Sequence, residues 1–189
     1  MANVSRVNGF RPSKTLNGAC WNSAINKYYV PSSNAVAMGV GDFVKLAGGS
    51  DANGVPAIAK AAVGDAVIGS IAAVNYDMTD LNTPQDVVAG VATYVYVTDD
   101  PETIYEAEVS GTVATTLVGL NANHADAGVS AFGQSGETVN AATAATTATL
   151  TFKILGFVQA VDNEVGTYAK VFGKINNHQL ASGTGTLGV

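Results

Sequence analysis

The side chains best suited to bind a metal or to act as a nucleophile or base in this sequence are two histidines and a single cysteine. His124 and His178 show neither an H-x-x-x-H nor a Cys–His spacing, so the pattern disfavours a zinc site. Cys20 excludes an internal disulfide, and its place beside Trp21 favours a small buried thiol over a nucleophile. Residues 183–188 spell a formal G-x-G-x-x-G, but neither a helix nor an acidic residue follows it, as a dinucleotide site requires. No G-x-S-x-G elbow occurs. We therefore expect no enzyme, no catalytic residue, no cofactor and no metal.

Acidic side chains are densest between positions 99 and 108. The cluster consists of Asp99, Asp100, Glu102, Glu106 and Glu108. Its spacing does not match an EF-hand loop, whose oxygen ligands alternate and end on a Glu. A weak Ca²⁺ site or a contact for a basic partner remains an alternative. The sequence favours a solvated turn followed by the polar face of a strand.

Charge is scarce and unevenly distributed along the chain. Charged residues make up 13% of the sequence, against about 25% in ordinary soluble domains. Residues 1–60 carry a net +4, residues 61–152 have no Lys or Arg and eleven acids, and the whole chain has a net charge of −6. Such a balance disfavours nucleic acid as a partner, because neutralising phosphates needs Lys and Arg. So little charge indicates a surface that neighbours cover in an assembly.

Nothing in the sequence predicts a membrane partner or secretion. The longest apolar stretch, residues 87–97, is too short to span a bilayer as a helix and contains Gly90 and Thr93. The first ten residues lack the apolar core of a signal peptide. We expect a soluble protein synthesised in a cytoplasm.

The first thirty residues differ in character from the rest of the chain. They show no sustained period, contain four basic residues and no acidic one, and are broken by Asn8-Gly9, Pro12 and Asn17-Gly18. Aromatic side chains in this stretch are costly to leave in water. We interpret residues 1–30 as an extended basic arm, packed on its own body or, as we prefer, on a neighbouring subunit. Its candidate partner-binding residues are Arg6, Phe10, Arg11, Lys14, Trp21, Tyr28 and Tyr29.

Residues 31–189 show the pattern of a β-rich body. Short apolar runs at residues 36–40, 42–46, 55–59 and 66–74 alternate with Gly-containing turns. Turn signals every 5 to 12 residues are typical of a small β-barrel or β-sandwich. Gly and Val recur too often for long helices. The predicted fold is therefore mainly β, with few short helices and the extended N-terminal arm.

Two stretches have the two-residue period of β-hairpins. In residues 92–109, Tyr94 and Tyr96 alternate with valines before the Asp99–Glu102 turn, and Tyr105, Ala107 and Val109 share one face afterwards. Residues 150–175 repeat the pattern around a turn at 162–166. Residues 114–147 are poorly patterned and fit a short helix, a loop or a Thr-rich strand. The Gly- and Thr-rich tail from about residue 182 is expected to be mobile or fixed only by a partner.

Three blocks of the sequence resemble head decoration (cement) proteins of tailed bacteriophages. They include Asn8-Gly9-Phe10-Arg11-Pro12 with Leu16-Asn17-Gly18, residues 94–97 and 99–109, and residues 155–158, 162–166 and 175–180. Together they cover about a third of the chain, whereas residues 110–148 match nothing in that family. The shared motifs are structural and carry no active site.

The resemblance implies a structural virion protein on the outer surface of an icosahedral capsid. Its partners would be the major capsid protein and further copies of itself, with a homotrimer favoured over a homodimer. The arm would supply aromatic anchors and charge pairing, and an oligomer would grip several shell subunits at once.

Two other classes of protein remain open. A tail-tube, fibre or pilus-like subunit would form rings or open filaments. A β-sandwich carbohydrate-binding module would need exposed aromatics on one face, for which Tyr94 and Tyr96 are the candidate pair.

Overall fold

The computed structural model describes residues 3–75, 78–79, 82, 85–181 and 183–189. The described chain is mainly β-strand, and its helices are two single 3-10 turns at Thr115–Leu117 and Ala141–Thr143. The strands are β1 (Arg11–Thr15), β2 (Asn26–Val30), β3 (Phe43–Ser50), β4 (Pro56–Lys60), β5 (Gly69–Val74), β6 (Thr93–Thr98), β7 (Thr103–Ser110), β8 (Asn121–Ala122), β9 (His124–Ala125), β10 (Thr138–Asn140), β11 (Phe152–Phe157) and β12 (Lys170–Ile175). The predicted fold class is confirmed.

Five strands form a closed barrel. Their order is β2-β4-β3-β5-β6, and β6 pairs back to β2. The alternation in β6 is the predicted one, because Val95 and Val97 are fully buried while Tyr94 and Tyr96 lie half-buried on the outside. Ile58 and Ile71 join the valines in a core inside the barrel. Burial of these aliphatic side chains supplies the main driving force for closing the barrel.

The other seven strands form a second sheet that nearly closes on itself. Its order is β8-β11-β12-β7-β10-β9, with β1 added to β7. Because only Asn123 separates β8 from β9, residues 121–125 pair with β11 on one side and with β10 on the other. Tyr105, Phe152 and Val171 belong to the core of this sheet. The predicted hairpin of β11 and β12 is confirmed.

The predicted hairpin of β6 and β7 is wrong, although both strands exist. β6 pairs with β2 and β5 in the barrel, whereas β7 pairs with β12, β1 and β10 in the second sheet. The turn at residues 99–102 therefore carries the chain from one sheet to the other. The Tyr105 hydroxyl donates to the Thr98 carbonyl at 2.9 Å across this passage. A two-residue period identifies a strand but not the strand that pairs with it.

The N-terminal thirty residues pack on their own chain. β1 is an edge strand on β7, and β2 lies between β4 and β6, so that it closes the five-stranded barrel. The segment contains the edge strand β1 and a turn at residues 16–18, and the predicted boundary at residue 30 separates β2 from the barrel to which it belongs. Hydrogen bonds to two neighbours and the buried Val30 make β2 part of the body.

The poorly patterned region and the tail are also built into the body. Residues 110–148 contain both 3-10 turns and three short strands, β8, β9 and β10. Ser182 lies outside the described residues, but hydrogen bonds fix the tail beyond it to the body. Gly188 N–H donates to Thr146 O and Val189 N–H donates to Gly119 O, both at 3.0 Å. Lys153 Nζ donates to Leu187 O at 2.7 Å. The expectation of a tail fixed only by a partner is therefore wrong.

Candidate interaction surface

Residues 3–10 run along the outside of the second sheet and are held there by Glu108. This carboxylate is 4% exposed; its Oε1 accepts from the Ser5 hydroxyl at 2.9 Å, and its Oε2 accepts from the Arg6 N–H at 2.6 Å. Further along, Asn3 exchanges two hydrogen bonds with the backbone of Glu164, at 2.7 and 2.8 Å. The segment thus covers Glu108, which the sequence predicts to lie on a polar strand face.

Phe10 points inward and not toward a partner. Its ring is fully buried and stacks on Phe43 with centroids 3.8 Å apart, and it lies 5.1 Å from Phe152. Gly9, which precedes it, has φ +64° and leaves no room for a Cβ against the backbone of Gly41. The Asn8-Gly9 pair therefore turns the chain into the core, and Phe10 cannot serve as a predicted contact residue while it fills that core.

The other three aromatic candidates differ in exposure. Tyr28 is 7% exposed and its hydroxyl donates to Asp99 Oδ2 at 2.7 Å; burial and this carboxylate raise the pKa of Tyr28 well above its usual range. Trp21 and Tyr29 are half-buried. Trp21 lines a groove with Pro12 and Ile71, on the outside of the body. Of the predicted aromatic anchors, Trp21 and Tyr29 alone keep part of their surface available.

The three basic candidates point outward and lie on one side of the molecule. A cleft of about 190 Å³ over β1 and β7 is lined by Glu106 and the buried Glu108 as well as by basic residues. Its basic residues are Arg6, Arg11 and Lys170, and beside it the Lys14 ammonium lies 4.7 Å from the ring centroid of the outward-facing Phe172 on β12. We name these four residues the basic face. Lys170 also lies 3.5 Å from Glu106.

Among the described residues, two charges of the basic face have no carboxylate partner. Arg6 pairs with Asp162 at 3.2 Å on the exposed surface, a contact of small energetic value. The Arg11 guanidinium donates to the side chain and the carbonyl of Asn8, which are neutral. Within the described residues, neither Arg11 nor Lys14 lies within ion-pair distance of an acid. Desolvation lowers the pKa of Arg11, yet Arg remains protonated at neutral pH.

Beside the basic face, the chain makes a small exposed hairpin that is not among the predicted elements. Asn17-Gly18 forms its turn: Thr15 N–H donates to Ala19 O at 2.9 Å, and Gly18 has φ +89°, which favours glycine. Leu16 is half-exposed at the tip, and Cys20 on the return is exposed, contrary to the predicted buried thiol. An Asn-Gly pair is a strong hairpin signal, so the motif was visible in the sequence.

The acidic cluster at residues 99–108 is largely used within the molecule. Asp99 accepts from Tyr28 and Asn26, Glu102 lies 3.2 Å from Lys174, and Glu108 is buried under the N-terminal segment. Within the described residues, no group of three His, Cys, Asp or Glu could hold a metal ion. The geometry thus favours structural pairing over the Ca²⁺ alternative.

The tyrosines of the barrel wall make an outward aromatic patch. Tyr29 and Tyr94 face each other across β2 and β6 with centroids 5.6 Å apart, and Lys27 lies 3.8 Å above the Tyr94 ring. The Tyr94 hydroxyl donates to Asp51 Oδ2 at 2.6 Å. Because Lys27 covers one face of the Tyr94 ring and Asp51 occupies its hydroxyl, Tyr94, one member of the predicted pair with Tyr96, has little surface left for stacking on a sugar.

Both histidines are buried and packed into the interior. Desolvation lowers the pKa of His124 and of His178. His124 lies edge-on to Phe43, and His178 Nδ1 accepts from Leu180 N–H at 3.0 Å. No helix in the described parts of the chain has the length and apolar character needed to cross a bilayer.

Comparison with known proteins adds no assignment: no family model, no curated protein and no solved structure matches the chain.

Proposed function

We propose that this chain is a structural virion protein that binds the outer surface of an icosahedral phage capsid and stabilises the shell. The observation that carries the proposal is the basic face on an otherwise acidic chain, with Arg11 and Lys14 free of carboxylate partners among the described residues. The resemblance of the three blocks given in the sequence analysis to head decoration proteins adds the second support.

The partners in this proposal are the major capsid protein and further copies of the chain. An acidic patch on the shell would pair with the basic face, and the exposed hairpin next to it, with Leu16 half-exposed, would add apolar contact. A homotrimer, or failing that a homodimer, would multiply one weak contact through effective concentration.

Rebinding to stripped shells tests the contact surface. The substitutions Arg6→Gln, Arg11→Gln and Lys14→Gln together remove three positive charges from the basic face. We expect this variant to co-sediment with shells freed of their own decoration protein less than wild type does. The difference should be larger at low salt, because screening weakens surface charge pairs.

A matched variant separates the surface from the net charge. Lys27→Gln, Lys45→Gln and Lys153→Gln remove the same number of charges away from the basic face, because Lys27 and Lys45 lie on the barrel strands β2 and β3 and Lys153 lies on β11, which β12 separates from β7. This variant should rebind like wild type. Equal losses in both variants would show that net charge, and not the basic face, governs binding.

A tail-tube or fibre subunit remains the second candidate function. It is distinguished by light scattering of the purified protein, which would then show open polymers in place of a closed dimer or trimer.

A further inference from the structure

A buried lysine lies among carboxylates where the barrel meets the second sheet. Lys60 ends β4, and its Nζ lies 3.2 Å from Asp42 Oδ2, 3.9 Å from Glu137 Oε1 and 2.9 Å from Asp126 Oδ1. The side chains of Asp42 and Glu137 are fully buried and that of Lys60 is 6% exposed, whereas the Asp126 side chain is 41% exposed. Asp42 and Glu137 therefore contact the lysine from the protein interior, and Asp126 contacts it from the solvent side.

The two buried carboxylates are incompletely satisfied as they stand. Asp42 Oδ2 accepts from Gly39 N–H at 2.8 Å, and Glu137 Oε2 accepts from Phe43 N–H at 3.0 Å. The other oxygen of each, Asp42 Oδ1 and Glu137 Oε1, is buried without a hydrogen-bond partner in the described chain. Buried polar atoms without partners are rare and costly, and buried ion pairs gain little over neutral groups.

We propose that Lys60 and Asp42 condense to form an intramolecular amide bond, with Glu137 relaying the proton. Within the buried pair, a proton passes from the ammonium to the carboxylate. The neutral Nζ then attacks Asp42 Cγ, and the C–N bond forms. Glu137 takes a proton from the nitrogen and delivers one to the departing oxygen. The Cγ–O bond breaks, and one water leaves.

The condensation balances without any other reactant. An ammonium and a carboxylate become an amide and water, the net charge is unchanged, and Glu137 returns to its starting state. The amide has one oxygen fewer than the amine and carboxyl groups that form it, because the released water carries that oxygen away, and neither Lys60 nor Asp42 then holds a charge. Holding the amine and the carboxyl in contact supplies the high effective concentration that the reaction needs.

The environment favours the neutral form of the two carboxyl groups, and the neutral form of Lys60 depends on them. Burial raises the pKa of Asp42 and of Glu137, so their neutral forms are accessible. Desolvation lowers the pKa of Lys60, whereas the charges of Asp42, Asp126 and Glu137 raise it, with a net rise. When Asp42 and Glu137 take up protons, their negative charges no longer raise the pKa of Lys60. Desolvation then favours the neutral amine.

The bond would link the start of β3 to the end of β4, which lie at the same end of this antiparallel strand pair. Asp42 immediately precedes β3, and Lys60 pairs with Val44 at the end of β4. The loop between these strands, residues 51–55, includes the exposed Asn53 and Gly54. A cut in that loop would leave the two strands covalently connected.

Intact-mass measurement of the purified, folded protein tests the bond. We expect a mass lower than the sequence mass by one water. Trypsin should then yield residues 28–45 joined to residues 46–153, because an acylated Lys60 is no longer a cleavage site and residues 61–152 contain no Lys or Arg. The full sequence mass, with separate peptides 46–60 and 61–153, would overturn the proposal and leave an ordinary buried ion pair.

Three variants assign the roles. Lys60→Arg keeps a charge at the site but cannot form the amide, so its mass should equal the sequence mass; a lost water in this variant would place the reaction elsewhere and overturn the proposal. Asp126→Asn should still lose the water, whereas its failure to do so would transfer the bond to Asp126. Glu137→Gln should retain the full mass under the same conditions, and condensation to the wild-type extent would remove Glu137 from the mechanism.

Discussion

Phe10 fixes the N-terminal segment to the second core, because its buried ring stacks on Phe43 and contacts Phe152. Phe10→Ala should lower the free energy of unfolding by about 3–5 kcal/mol, the usual cost of removing a fully buried aromatic ring. Leu16→Ala, at the half-exposed hairpin tip, is the matched control and should change it by at most about 0.5 kcal/mol. Urea denaturation of both variants is the measurement. A loss below about 1 kcal/mol for Phe10→Ala would contradict the buried position.

His178 couples stability to pH. Its burial lowers the folded-state pKa below the ordinary 6.5, so below about pH 6.5 the unfolded chain binds more protons than the folded one. This histidine's contribution is therefore complete above that pH and is lost as the pH falls. His178→Asn, which keeps an acceptor for Leu180 N–H, should show a smaller loss of unfolding free energy between about pH 7.5 and about pH 5.5 than wild type.

The comparison of wild type with His178→Asn removes the contribution of buried carboxyl groups to the pH dependence of the unfolding free energy. Asp42 and Glu137 have raised pKa values and would gain stability in acid, but they do so equally in wild type and in His178→Asn. Parallel curves of unfolding free energy against pH would show that His178 does not titrate differently in the folded and unfolded states.

At the scale of elements, Glu108 on β7 holds the strand-free segment at residues 3–10. Two charge-assisted hydrogen bonds, each contributing roughly 1.5–3 kcal/mol, are lost in Glu108→Ala. Trypsin should then cut after Arg6 at least about tenfold faster than in wild type. Glu106→Ala on the same strand, where the carboxylate is half-buried and lies 3.5 Å from Lys170, should leave that rate near wild type. Equal rates in all three proteins would show that Glu108 does not hold the segment.

Local pattern was enough to find most elements, but not to pair them. The two-residue periods in β6, β7, β11 and β12 follow from side chains facing a core, which neighbouring residues reveal. The separation of β6 from β7 depends on edges already taken by β2 and β12, which are distant in sequence. Asp99–Glu102 therefore looks like a hairpin turn and is a passage between sheets.

The sequence predicted which basic side chains of the candidate surface point outward, but not which aromatic side chains point inward. Arg6, Arg11 and Lys14 are outward, as a basic segment without a periodic apolar face predicts. Phe10 and Tyr28 are inward, because the cores they fill are built from strands further along the chain. The cluster of Lys60 with Asp42 and Glu137 gave no local signal, since its members come from separate segments.

At the scale of the whole molecule, two β-structures share one chain and one N-terminal segment. β3 begins at their junction, where Phe43 belongs to one core and Val44 to the other. The basic face lies on the second sheet, and the aromatic patch lies on the barrel. Under the proposed function, the second sheet would contact the shell, which leaves the barrel wall for neighbouring copies or for solvent.

The location of the protein on virus particles is the sharpest test of the proposed capsid-binding function. Particles produced by the genome that encodes the chain would be labelled with gold-tagged antibody against it and imaged by electron microscopy. We expect label distributed over the outer surface of the heads of intact particles. Label confined to tails or fibres, or particles that contain none of the protein, would contradict it.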